Sequence, residues 1–77
     1  MFDIRNTTNN EVKTGQSKAE AVAYLRGEKV VSENENLASP DSAVYENMWR
    51  ERIVVEYVGS EDADTALREL TSAVLAG

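Results

Sequence analysis

The stretch VGSEDADTALREL, residues 58–70, puts Ser60, Glu61, Asp62 and Asp64 within five positions. These four side chains offer oxygen to a divalent cation or to a basic partner. A calcium loop of the EF-hand type needs donors at alternating positions, a central glycine and a closing glutamate. That order is missing here. Paired carboxylates acting as general acid and base need a cleft that separates their pKa values, and a chain of 77 residues has little material from which to build one. The same residues are also the chemistry with which a helix begins. Ser60 or Asp62 stands where an N-cap accepts an orphan amide, and the neighbouring acids face the positive end of the helix dipole. Asp64 precedes Arg68 by one helical turn, within reach of an ion pair. Helix initiation therefore accounts for every acid in the stretch.

Two absences narrow the chemistry further. The sequence has no cysteine and no histidine, which removes Ser-His-Asp and Cys-His catalysis, His-ligated metals, zinc-finger spacings and disulfides. No catalytic residues, metal or cofactor are expected. No apolar run approaches the ~20 residues of a membrane-spanning helix, and the start MFDIRN lacks the basic and apolar regions of a signal peptide. The expectation is a cytoplasmic protein without membrane contact.

Charge is unevenly spread over a net −6. Residues 1–32 hold five bases against four acids, whereas residues 33–77 hold ten acids against Arg50, Arg52 and Arg68, a net of −7. Such a field repels phosphate backbones, so direct nucleic-acid binding is not expected, and it attracts basic protein surfaces.

The elements that must carry these residues read as follows. FDIRNT alternates Phe2 and Ile4 with polar residues, Asn9-Asn10 supplies a turn, and EVKT returns as a second strand. Ser17 and Glu20 form a capping-box pattern before a helix that buries Ala21, Val22 and Leu25 and ends at Gly27 in the left-handed conformation. Val30 and Val31 suggest a short strand before the polar SENEN. Ser39, Pro40 and Asp41 read as a helix start, followed by a helical stripe of Val44, Tyr45, Met48 and Trp49; the alternative is a long strand through Tyr45, Trp49, Ile53 and Tyr57. RIVVEYV is a central strand, closed by Gly59. A last helix carries Ala63, Ala66, Leu67, Leu70, Ala73 and Val74 on one face.

The expected fold is one α+β domain over residues 1–77. Its sheet has about three strands, antiparallel or mixed, in the order ββα, linker, αβα, covered by two to three helices. A chain of this size buries only about 60% of its unfolded surface, so Trp49 is expected inside the core, the alternative being an exposed helix on which it binds a partner. The expected function is a small acidic regulator or inhibitor that occupies a basic surface of another protein, including one that binds nucleic acid. Phage-type DNA-mimic inhibitors act in this way, though the sequence shares no motif with them. The expected contacts are Glu33, Glu35, Glu46, Trp49, Glu51, Glu61, Asp62, Asp64 and Glu69. The alternative is a self-assembling module, joined through the stripe of Tyr45, Met48 and Trp49 or through a strand edge.

Overall fold

RIVVEY is apolar on both faces, and the computed structural model, which describes residues 1–76, places it at the centre of a sheet. The strands are β1 (Phe2–Asn6), β2 (Glu11–Gln16), β3 (Val30–Glu33), β4 (Ser42–Asn47) and β5 (Arg52–Tyr57), in the spatial order β2-β1-β5-β4-β3. Every neighbouring pair is antiparallel. Helices α1 (Lys18–Gly27) and α2 (Ala63–Leu75) follow β2 and β5. Phe2, Ile4, Ala43, Tyr45, Ile53 and Val55 face both helices, and Ala21, Leu25, Ala66, Leu67, Leu70 and Val74 close the core over them.

The α+β class holds, but the sheet has five strands rather than three, is antiparallel throughout, and is covered by two helices. The main correction falls on residues 40–50, which form β4 and a hairpin turn instead of a helix. Ser39, Pro40 and Asp41 serve a turn with the same chemistry that starts a helix. The Ser39 and Ser42 backbones exchange N–H and C=O bonds of 3.2 Å, and the Ser39 hydroxyl donates to Asp41 Oδ1 at 3.0 Å. Proline at the second position of a turn suits its fixed φ. Beyond the turn, β4 is buried on both faces. Tyr45 points to the helices, while Val44, paired with Val54, is buried on the helix-free face. The expected apolar stripe is thus divided, with Tyr45 in the core and Met48 and Trp49 exposed in the turn.

Two buried asparagines build the hairpin turns. Asn6 Oδ1 accepts the Thr8 and Asn9 amides at 2.9 and 3.4 Å. Asn47 Oδ1 accepts the Trp49 and Glu51 amides at 3.0 and 2.9 Å, and its Nδ2 donates to Glu51 Oε1 at 2.7 Å. The Asn6 Nδ2 is buried without a partner among the described residues. Both outer strand pairings slip register, β1–β2 between Phe2 and Ile4 and β3–β4 between Val30 and Ser32. In β2 the slip coincides with Gly15, whose φ of +63° favours glycine and whose amide is taken by Asp3 Oδ1 at 2.9 Å. Helix α1 carries the expected capping box, but it does not end on a left-handed Gly27. Glu28 is the C-cap and Lys29 takes the positive φ.

Placing the aromatics this way has a measurable consequence. Tyr45→Ala should cost about 3–5 kcal/mol in urea unfolding followed by circular dichroism, as large core truncations do. Trp49→Ala should change stability by less than about 0.5 kcal/mol, as an exposed substitution does. Equal losses would mean that Trp49, too, is part of the core.

Candidate functional site

Antiparallel folding returns the chain repeatedly to the same two ends of the sheet. At the cap end β1 and β4 begin, β2, β3 and β5 finish, and both helices start at their N-caps, Ser17 and Asp62. At the turn end lie the β1–β2 and β4–β5 turns and both helix C-termini. The charges sort with these ends. Toward the cap end lie Asp3, Glu20, Glu35, Asp41, Glu56, Glu61, Asp62, Asp64 and Glu69, nine acids beside the bases Lys18 and Arg68. Toward the turn end lie Arg26, Lys29, Arg50 and Arg52 with Glu11, Glu28, Glu46 and Glu51, while mid-sheet rows hold Lys13 level with Ile4, Arg5 level with Val54, and Glu33 level with Asn6 and Ile53.

Pairing sharpens the contrast. The two ion pairs among the described residues, Lys18–Glu69 at 3.6 Å and Arg68–Asp64 at 3.1 Å, engage both bases of the cap end. No base of the turn end has an ion-pair partner among the described residues. The four acids there are instead bound to neutral groups. Glu11 and Glu28 lie 2.6 and 3.0 Å from the Tyr24 hydroxyl, Glu46 accepts from Asn34 Nδ2 at 3.3 Å, and Glu51 accepts from Asn47. Those two carboxylates, together with burial, push the Tyr24 phenol well up, burial being the larger cause.

Helix starts explain part of the acidity. Ser17 Oγ accepts the Glu20 amide at 3.1 Å while Glu20 Oε1 accepts the Ser17 amide at 2.9 Å. Bonding to the Ser17 amide, and then to its hydroxyl, holds the Glu20 carboxyl below its ordinary value. Asp62 caps α2 by accepting the Asp64 amide at 3.2 Å and the Thr65 hydroxyl at 3.0 Å. Of the two candidate caps, Asp62 is the one used, and the expected Asp64–Arg68 pair forms.

A groove of about 300 Å³ runs between α2 and the segment joining β3 to β4, with Glu33, Ser39, Asp64, Arg68 and Thr71 in its walls. Burial, and then the neighbouring Glu35, raises the Glu33 carboxyl above its ordinary value. Tyr45 reaches the Thr71 hydroxyl at 2.7 Å, and Thr71 donates to the Leu67 carbonyl at 2.9 Å. Burial pushes the Tyr45 phenol up to about 12. This arrangement supplies hydrogen bonds and negative charge, with a neutral hydroxyl chain behind them. Among the described residues no three His, Cys, Asp or Glu side chains converge into a cation site.

The residues singled out from sequence are therefore divided. Glu35, Glu61, Asp62, Asp64 and Glu69 lie toward the cap end, Glu33 in a mid-sheet row, and Glu46, Trp49 and Glu51 toward the turn end, so the nine do not form one surface. Asp3, Glu20, Asp41 and Glu56 join the acidic end and were missed. For Glu20 the signal was its capping-box position at the start of α1, and for the others it was register: Asp3 pairs with Glu56, and Glu56 with Ser42, next to Asp41. No family model matches the sequence, and no curated protein and no solved structure is significantly similar to it. No helix among the described residues is long and apolar enough to cross a membrane.

Glu33 gives the groove a pH signature. A carboxyl raised above 4.5 by folding contributes stability that is present below that pH and lost as pH rises through its folded pKa. Glu33→Gln should therefore melt higher than the parent at neutral pH, with the two melting curves converging as pH falls toward 4.5. A variant less stable than the parent at neutral pH would show that the ionised carboxylate is favourably bound.

Proposed function

We propose that the chain is a non-catalytic binding protein whose acidic cap end occupies a basic, nucleic-acid-binding surface of another protein, as a DNA-mimic inhibitor does. The observation that carries this reading is the gathering of nine acids toward one end of the molecule, with the two bases beside them, Lys18 and Arg68, already paired to acids. A focused field of one sign speeds encounter with an oppositely charged surface and suppresses binding to nucleic acid itself. Glu33, Glu35, Asp41, Glu56, Glu61 and Asp64 make the contact on this reading. Glu46, Glu51 and Trp49 face away from it. A partner that handles nucleic acid makes the cytoplasm the natural compartment.

Affinity capture from nuclease-treated lysate, washed at moderate and at high salt, tests this directly. A basic, nucleic-acid-handling protein should be retained at moderate salt, lost at high salt and displaced by added DNA. Glu35→Lys with Glu56→Lys and Glu61→Lys should abolish that capture, while Glu46→Lys with Glu51→Lys should leave it intact. Capture indifferent to the first set, or equally sensitive to both, would remove the cap end from the contact.

A further inference from the structure

We infer that the turn end docks the acidic cap end of a second copy of this chain, so that the protein associates head to tail. Met48 and Trp49 are 60% and 62% exposed at the tip of the β4–β5 hairpin, and Val31 is 61% exposed on the adjoining edge strand. Beside them a groove of about 440 Å³ is walled by Val30, Val31, Met48 and Val74, with Arg26 and Lys29 on its rim. An apolar floor ringed by cations suits a partner that is acidic at its edge and apolar at its centre. The cap end of the same chain has this character. Asp41, Glu56, Glu61 and Asp62 are exposed there, and Met1 and Val58 stand exposed among them, joined backbone to backbone at 2.8 and 3.0 Å.

The backbone adds a second observation at the same place. Lys29 and Arg50 both sit at positive φ, 60° and 63°, where glycine is easier. The sequence keeps a cation at each.

The overall charge of −6 does not forbid the contact. Strands of six residues separate the two ends by about 20 Å, and charges farther apart than the Debye length of about 8 Å are largely screened at physiological salt. The ends that meet are the acidic cap end of one copy and, on the next, the turn-end bases Arg26, Lys29 and Arg50, which have no ion-pair partner among the described residues. Because the two surfaces differ, each junction leaves one of each kind free, and the association continues past a dimer, into a ring where the rotation between copies closes and into a filament where it does not. The contact uses the cap end that the proposed function gives to a basic partner, so such a partner would compete with it. The inference does not rest on that partner and is tested on the chain alone.

Sedimentation velocity of the purified chain over a wide concentration range, at physiological and molar salt, is the experiment. The average mass should rise without stopping at a dimer, emission from Trp49, the sole tryptophan, should shift to the blue in step with it, and molar salt should reduce both changes. Lys29→Glu with Arg50→Glu blocks the turn end, and Glu56→Lys with Glu61→Lys blocks the cap end. Each variant should be monomeric alone, and the two mixed should give a discrete one-to-one complex through their intact ends. Trp49→Ala, an exposed change that tests the contact without altering charge, should lose the rise in mass. A chain monomeric at every concentration would overturn the inference. So would a closed dimer indifferent to these substitutions, or blocked variants that fail to complement.

Discussion

β5 is hydrogen-bonded on both sides, to β1 from Phe2 to Asn6 and to β4 from Ser42 to Glu46, and its Ile53 and Val55 lie fully buried under the two helices. The N-terminal hairpin and the β3–β4 pair do not touch each other within the sheet and meet only through this strand. The pairing joins residues near the start of the chain to residues about fifty positions later, and it continues past the strands, where Val58 donates to the Met1 carbonyl at 2.8 Å. Above the sheet the helices repeat the connection, with Arg26 Nη2 donating to the Ala73 carbonyl at 2.8 Å and Lys18 paired with Glu69. Non-local pairing of this kind is entropically slow to form. The first half of the chain has no complete core until β5 and α2 arrive.

That topology also sorts the charge. Both helices start at the cap end, and acids near a helix N-terminus gain about 0.3–1 kcal/mol each from the dipole, as bases do at the C-terminus. Glu20, Asp62 and Asp64 occupy the first turns or caps, and Arg26 lies in the last turn of α1. Their placement needs no partner to explain it. Asp3, Glu33, Asp41 and Glu56 lie on strands and in a turn, where no helix start calls for an acid. Asp3 and Asp41 bind the Gly15 amide and the Ser39 hydroxyl, so of these four Glu33 and Glu56 are the ones that serve no turn or bulge.

Much of the secondary structure was legible in the sequence. The N-terminal hairpin, the capping box of Ser17 and Glu20, the central strand and the apolar face of α2 each carry their own local signal. Strand β4 was legible only as the alternative to a helix. Its burial on both faces erases the alternation that betrays a half-buried strand, and Ser39-Pro40-Asp41 reads equally well as a helix cap and as a tight turn. The spacing of Val44, Tyr45, Met48 and Trp49 then imitated a helical stripe, although a hairpin tip falls between its members. The charge arrangement was hidden for another reason. A count along the chain put Arg50 and Arg52 with the acids that follow them, whereas the fold carries these two bases to the opposite end and brings Asp3 and Glu20 to the acidic one.

The register slips at the two outer pairings have a bearing on how such a sheet stays discrete. An open five-stranded sheet has two lateral margins with unpaired amides and carbonyls, templates on which further strands stack into fibrils. In this protein the two inner pairings are regular, and the irregularity is confined to the outermost ones. Asp3 draws the Gly15 amide to a side chain, and the slip in the β3–β4 ladder lies at Val31. A bulge bends and twists the strand that carries it, so each edge strand departs from the flat, regular geometry on which an incoming strand pairs most easily.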